Sequence, residues 1–136
     1  MKNLIITIIF CLALTGCKKK IQQKAEDAVV QAMINSQWII TNFMQSGTDH
    51  TADFSNYKFQ YYSNKTVDAI KNGTVEQTGS WDGDATTMTT SANFPNAINP
   101  LNLVNGNWHI DNNSWTFVIA SQTNGGETKI MRLDKQ

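Results

Sequence analysis

The first hydrophobic pattern along the chain is a mainly apolar run near its amino end. The run extends from Leu4 to Leu14 and follows a lysine, Lys2. It is 11 residues long, whereas a helix needs about 20 apolar residues to cross a bilayer. A short apolar run behind a basic residue is typical of an export signal that is cleaved from the mature chain. We therefore predict a signal peptide over residues 1–16.

The next segment carries apolar residues at helical spacing. They occupy positions 21, 25, 28, 29, 32 and 33, with polar residues between them. This spacing places them on one face and predicts a single helix over residues 21–36. The apolar face is narrow and rich in alanine, so it is expected to pack lightly. Either the helix packs against the following domain, over one end of it, or it is a spacer from the membrane; the apolar face favours packing.

From Gln37 onward the pattern changes to alternation. Tyr57, Phe59 and Tyr61 alternate with polar residues, as in a strand with one buried face. We predict eight strands, at residues 37–45, 54–62, 65–71, 74–82, 85–91, 106–111, 114–121 and 127–134. Residues that favour tight hairpins recur between them, at Ser63-Asn64, Asn72-Gly73, Asp82-Gly83-Asp84, Asn112-Asn113 and Asn124-Gly125-Gly126.

Residues 93–105 interrupt this rhythm. They hold both prolines of the chain, Pro95 and Pro100, and are predicted to form a long crossing loop with a short helical turn. Strands joined mainly by hairpins form an antiparallel meander, and closure into a barrel removes its exposed edges. The predicted fold class is all-β: a small antiparallel meander barrel of about eight strands, preceded by one helix. The predicted divisions of the chain are residues 1–16, 17–36 and 37–136.

Length and charge limit the classes of function. The chain has 136 residues, enough for one domain. Its 11 basic and 11 acidic residues give a formal net charge of zero. A protein that binds nucleic acid normally carries an excess of basic residues, which neutralise phosphates. We therefore expect no nucleic-acid partner.

The residues that end the predicted signal peptide carry a specific motif. Leu14-Thr15-Gly16-Cys17 resembles the lipobox of bacterial lipoproteins, in which an aliphatic residue and two small residues precede an obligatory cysteine. The resemblance implies cleavage between Gly16 and Cys17, a diacylglycerol on the Cys17 sulfur and an acyl chain such as palmitate on its amino group. Several acyl chains anchor a protein stably where one does not. The alternative is an ordinary signal peptide with a chance cysteine.

Cysteine usage and the residue after Cys17 extend this prediction. Cys11 and Cys17 are the two cysteines of the chain, and Cys11 falls in the predicted signal peptide. The mature domain is therefore expected to form no disulfide. Lys18 occupies the second mature position. By analogy with the sorting of Gram-negative lipoproteins, the absence of aspartate there implies delivery to the outer membrane, facing the periplasm.

Landmarks of the β domain are similar to those of a known group of proteins. In order they are Asp49-x-Thr51-x-x-Phe54-x-x-Tyr57-x-Phe59, Val67-x-Ala69, Gly79-x-Trp81, Leu101-x-Leu103 and Trp108, before a last hairpin of residues 114–120 and 128–133. This order resembles the lipocalin-like domains of small Bacteroidota lipoproteins over residues 36–133. The Gly-x-Trp pattern that marks the first strand of lipocalins occurs here on later strands, at residues 79–81 and 106–108.

The aromatic residues of the predicted strands lead to two hypotheses of function. Most are expected on inner faces, and the candidate ligand-binding residues among them are Tyr57, Phe59, Tyr61, Trp81 and Trp108; Trp115 and Phe117 belong to the same set. In the first hypothesis they bind a small apolar or amphipathic molecule. In the second they fill the barrel of a non-catalytic envelope protein that contacts a partner through its outer surface or through residues 93–105. The short domain favours filling, because large side chains consume the interior of a small barrel.

The sequence shows no convergent set of catalytic or metal-binding residues. His50 and His109 are the two histidines, and Asp49 and Asp53 lie near the first of them. A metal or acid–base site needs groups that converge from several elements. Asp82-Gly83-Asp84 lacks the spacing of a calcium-binding loop and is predicted to be a hairpin turn. We expect no enzymatic activity, no cofactor and no metal, and the sequence identifies no protein partner.

Overall fold

A computed structural model describes residues 23–24 and 26–136. The predicted signal peptide and lipobox, with Gly16 and Cys17, lie outside the described residues. Residues 23–24 and 26–34 are helical and are called helix α1. For the described part of the chain, this confirms the helix predicted over residues 21–36. No helix in these two described ranges combines the length and apolar character needed to cross a membrane.

Nine strands and two short 3-10 helices follow α1. The strands are β1 (Trp38–Gln45), β2 (Thr48–Asp49), β3 (Tyr57–Tyr61), β4 (Thr66–Lys71), β5 (Thr74–Asp84), β6 (Thr89–Asn93), β7 (Gly106–Asn113), β8 (Phe117–Asn124) and β9 (Glu127–Lys135). The 3-10 helices are η1 (Thr51–Phe54) and η2 (Leu101–Val104). All eight predicted strands are present, whereas the two-residue strand β2 and helix η1 were not predicted.

The strands form one closed antiparallel sheet. Its order is β2-β1-β3-β4-β5-β6-β7-β8-β9, and β1 also pairs with β9. That closing pair runs from Trp38 opposite Lys135 to Gln45 opposite Lys129. Strand β2 only extends the end of β1, so the closed barrel has eight strands. This confirms the predicted fold class, an all-β antiparallel barrel preceded by one helix.

Three of the five predicted turns are correct and two are wrong; Ser63-Asn64 lies in the turn between β3 and β4. Asn72-Gly73 and Gly125-Gly126 form tight turns, and all four residues have positive φ angles between 51° and 85°. Asp82-Gly83-Asp84 instead lies inside β5, and Asn112-Asn113 lies inside β7. The turn after β5 is formed by residues 85–88. The Asp84 carboxylate stabilises it by accepting hydrogen bonds from the backbone N–H groups of Thr86 and Thr87, at 2.8 and 3.3 Å.

The two ends of the barrel are covered differently. At one end, here called the closed end, η1 and η2 insert Phe54 and Leu101 into the core, and the Phe54 ring lies 5.0 Å from that of Phe43. Residues 94–105 join the neighbouring strands β6 and β7 and include η2, so the predicted long loop with a short helical turn is present. The opposite end, here called the mouth, is formed by the β3–β4, β5–β6 and β7–β8 turns and the start of β1.

Candidate functional site

The half of the barrel near the mouth encloses a cavity of about 90 Å³. Each of the eight barrel strands contributes to its wall. One water molecule needs about 10–15 Å³ measured in this way, so the cavity has room for several atoms. Most of its lining is apolar, and apolar walls offer water too few hydrogen-bond partners to hold it. The cavity therefore suits an apolar occupant better than water.

Aromatic rings form the most rigid part of this wall. They are Trp38, Phe59, Tyr61, Trp81, Phe94 and Trp108, none of them more than 8% exposed. Each of the three indole N–H groups donates a hydrogen bond to a backbone carbonyl oxygen. The pairs are Trp38 with Met33 (2.9 Å), Trp81 with Tyr62 (3.0 Å) and Trp108 with Val104 (2.9 Å). Because the polar edge of each indole is already bonded, the rings present apolar surface to the cavity.

Helix α1 closes the cavity at the mouth. Its residues Val29, Ala32 and Met33 belong to the lining. The approach of α1 to β5 is close: a methyl group added at Gly83 would lie 3.2 Å from a Val29 methyl carbon. The carbonyl oxygen at the end of α1, on Met33, is the one that accepts the Trp38 hydrogen bond. The helix therefore packs over one end of the domain, which was one of the two alternatives predicted from its apolar face.

Polar groups in the lining are gathered on one side of the mouth. They belong to Thr90 and Ser91 on β6, and to Asn113 and Ser114 at the end of β7. The Thr90 hydroxyl donates to the backbone carbonyl of Asp82 at 2.8 Å. The cavity is thus apolar toward the barrel centre and partly polar at the mouth. This division matches a molecule with an apolar body and a polar end.

The structure brings together four of the five predicted ligand-binding residues. Phe59, Tyr61, Trp81 and Trp108 line the cavity. Tyr57 is buried toward the closed end, where its hydroxyl donates to the Glu76 carboxylate at 2.5 Å. The role of all five residues in ligand binding stays a prediction.

Burial keeps the two tyrosines of this region neutral. It raises the pKa of the Tyr61 phenol above its ordinary value. It also raises the pKa of Tyr57, and the hydrogen bond to the Glu76 carboxylate adds to that effect. No charged side chain is buried among the described residues. An occupant of the cavity would therefore meet no ionised group in the interior of the barrel.

The remaining candidate residues do not converge. His50 Nδ1 lies 3.0 Å from Asp53, and His109 Nδ1 lies 3.0 Å from Asp111, both in partly or fully exposed positions. Within residues 23–24 and 26–136, no three His, Cys, Asp or Glu side chains could share a metal ion. Trp115 was expected on an inner face, but it is 61% exposed because it lies in the turn between β7 and β8.

Several lining residues were not singled out from the sequence. Phe94 follows β6 in the connection to β7, where strand alternation gives no guide to burial. Val29, Ala32 and Met33 were recognised only as an apolar helix face. The signal that could have placed them is the shortness of the connection from α1 to β1, at residues 35–37, which holds the helix against the start of the barrel.

The fold can be compared with known proteins. No family model matches the chain, and no curated protein matches it. It is similar to the solved structure of a DUF4847 family protein from Bacteroides vulgatus, with 13% sequence identity and a TM-score of 0.55. The match covers 79% of this chain and 99% of that one. At this identity the likeness concerns the fold alone, and it shows that the chain shares a small β-barrel of a type found in the Bacteroidota.

Proposed function

We propose that the protein is a lipid-anchored binding protein whose lipocalin-like barrel holds a small apolar or amphipathic molecule. The observation that supports this most directly is the cavity of about 90 Å³ near the mouth. Apolar surface removed from water contributes about 25 cal/mol per Å² to binding. Rigid aromatic walls supply such surface at a small cost in conformational entropy. The proposal includes no catalytic step and no cofactor.

The lining also supports one orientation of the proposed ligand. Burying a charged or unbonded polar group costs several kcal/mol, so the apolar body of the ligand should lie among Trp81, Trp108 and Phe59. Its polar end should lie at the mouth, near Thr90 and Ser114. An alcohol, an amide or a carboxylate at the end of a hydrocarbon group has this chemistry.

The lipid anchor is a second part of the proposal. The sequence from Leu14 to Cys17 supports acylation of Cys17 after cleavage at Gly16, and Lys18 supports an outer-membrane location facing the periplasm. Attached acyl chains would hold the barrel at the membrane. A binding protein held there is close to a large supply of apolar and amphipathic molecules.

Native mass spectrometry tests the binding function directly. The mature protein, purified from its own envelope and freed of detergent, should carry a bound small molecule that organic extraction removes. After extraction, the hydrophobic dye N-phenyl-1-naphthylamine, which is larger than the closed cavity and can enter only when helix α1 shifts from the mouth, should bind and become fluorescent. A protein that carries no molecule and also ignores the dye would contradict the proposal.

Two alanine-to-leucine substitutions test whether the dye binds in the cavity. Ala92 lines the cavity and lies opposite Trp81 in the sheet, so Ala92→Leu should occupy part of the volume. We expect it to weaken dye binding at least about tenfold, which corresponds to about 1.4 kcal/mol. Ala52→Leu, at an exposed position of η1, is the control and should leave dye binding unchanged. Equal affinities in the two variants would place the dye outside the cavity.

The closed end supports a second candidate function, a non-catalytic interaction with an envelope protein. This half of the barrel is packed with Phe43, Phe54 and Leu101, and the neighbouring connection exposes 74% of Ile98. Crosslinking in intact cells should then give a discrete heteromeric band. Ile98→Ser should remove that band, whereas Val75→Ser, at another exposed apolar position, should retain it. A protein that stays uncrosslinked would count against this function.

A further inference from the structure

The exposed aromatic residues of the described chain are concentrated at the mouth. Trp115 is 61% exposed in the β7–β8 turn, and Tyr62 is 41% exposed directly after β3. The other large apolar residues with high exposure are aliphatic, namely Val75, Ile98 and Ile130. Of these, Val75 and Ile98 lie toward the closed end, beside the β4–β5 turn and η2. The two ends of the barrel therefore differ in the type of side chain that they present.

The predicted anchor also belongs to the mouth. Helix α1 lies across the mouth through Val29 and Met33. Position 23, where the described helix begins, is six residue steps along the chain from Cys17. A chain extends by at most about 3.6 Å per residue, so Cys17 is within about 22 Å of that position. An acylated Cys17 would therefore hold the barrel near the membrane on the side of the mouth.

The charged groups at the mouth include both signs, so they do not favour binding to a surface of either charge. Lys65 forms an ion pair with Asp82 at 2.9 Å, and the Lys135 ammonium lies 5.3 Å from the centre of the Trp38 ring. The Asp84 carboxylate accepts hydrogen bonds from two backbone N–H groups of its own turn. Exposed Lys24, Glu26 and Asp27 of α1 add charges of both signs at this end, and the Tyr62 hydroxyl donates to the Asp68 carboxylate at 2.9 Å. The exposed rings of Trp115 and Tyr62 are the groups there with a preference for a bilayer surface. Both residue types favour the boundary between water and hydrocarbon in a bilayer.

We propose that the mouth rests on the phospholipid bilayer, with Trp115 and Tyr62 at the depth of the headgroups. This inference rests on the proposed lipid anchor and gives the proposed binding site a direction. The cavity then faces the membrane, and its ligand reaches it from the bilayer and not from the aqueous phase. Helix α1 lies between the cavity and the lipid and has to shift for the ligand to pass.

Tryptophan fluorescence can test this arrangement because Trp115 differs from the other three tryptophans. Trp38, Trp81 and Trp108 are 0%, 3% and 1% exposed. The full-length acylated protein is reconstituted in phosphatidylcholine vesicles whose acyl chains carry bromine near the headgroup, a short-range quencher of indole emission. We expect loss of the long-wavelength part of the emission, which comes from Trp115, relative to vesicles of unbrominated lipid.

Three comparisons make the result specific. Trp115→Phe should lose this quenching, and it is expected to fold because the position is exposed. Aqueous iodide should quench Trp115 strongly in the unacylated Cys17→Ala protein and weakly in the vesicle-bound protein. Raised ionic strength should leave the lipid quenching unchanged, because paired charges contribute little to this contact.

The outcomes separate the two proposals. A protein that does not float with the vesicles would contradict both the anchor and the membrane contact. A protein that floats, but whose Trp115 remains open to iodide and unaffected by brominated lipid, would retain the anchor and overturn the contact. Shielding of Trp115 that grows with protein concentration and is independent of lipid would also overturn it, in favour of an interface between copies of the chain.

Discussion

The space around Gly79 restricts which amino acids can occupy this position. A methyl group added there would lie 2.4 Å from the backbone oxygen of Asn93 and 2.7 Å from a ring carbon of Phe94. Neither neighbour can yield easily, because the first is backbone of the adjacent strand β6 and the second is a fully buried ring. The first glycine of a Gly-x-Trp sequence is thus explained here by close approach of two strands.

Gly79→Ala is therefore expected to destabilise the barrel. Overpacking of this kind costs about 1–3 kcal/mol, and the loss should appear as a lower midpoint in urea unfolding followed by circular dichroism. Ser80→Ala is the matched control, because Ser80 is the exposed next residue of the same strand; its effect should stay within about 0.5 kcal/mol. Equal midpoints for Gly79→Ala and the unaltered protein would show that the strands can separate without cost.

Within the described residues, helix α1 is attached to the barrel mainly through its carboxyl-terminal half. It is joined to the mouth by the Trp38–Met33 hydrogen bond of 2.9 Å, by a longer contact of 3.5 Å from the Gln60 amide to the Ile34 carbonyl, and by the packing of Val29. A helix of this length gains most of its stability from packing of its apolar face. Its position over the mouth should therefore depend on that face.

Adjacent positions on α1 provide a test of this dependence. Val29→Asp places a charge against the cavity, where its desolvation is unfavourable, and should release the helix from the mouth. Trp38 would then become accessible, so acrylamide quenching of tryptophan should increase while the strand signal in circular dichroism is retained. Ala28→Asp, at an exposed position one residue earlier, should change neither signal. Similar quenching in both variants would contradict the assigned face.

The elements were predictable where the determining information is local. Alternation in Tyr57, Phe59 and Tyr61 fixes a strand and its buried face, and Asn72-Gly73 suits the positive φ angles that its hairpin requires. The turn predicted at Asp82-Gly83 was wrong because these two residues are also compatible with a strand. There Gly83 serves a distant contact, the close approach of Val29, which no local pattern contains.

At the scale of the whole molecule, the site was less predictable than the barrel. The cavity is a volume left between side chains after closure, so it depends on the joint packing of eight strands and α1. The sequence favoured a filled interior, and the structure shows both conditions in different halves: packing at the closed end and a cavity at the mouth. Four of the five candidate ligand-binding residues line the cavity, because strand alternation placed their side chains on inner faces but did not show which half of the barrel they occupy.

The location of the whole molecule is expected to depend on one atom, the Cys17 sulfur. Cys17→Ala should prevent lipid attachment and leave an unprocessed or soluble precursor, detected by its mass and by fractionation of the envelope. Cys11→Ala removes the other cysteine of the chain and should still be processed and sediment with membranes. Cleavage after Gly16 and membrane association of the Cys17→Ala protein would contradict the lipobox prediction.

The pairing of β1 with β9 also determines when the barrel can close during synthesis and export of the chain. Strand β1 pairs with β9, which ends at Lys135. Synthesis proceeds from the amino end, so β1 is made well before its partner. A nascent or partly exported chain therefore lacks the closing strand until residues 127–135 have emerged. Contacts so distant in sequence form slowly. During that interval the aromatic inner faces are exposed to proteases and chaperones, so pairing of the last strand ends the period in which the new chain is most vulnerable to degradation.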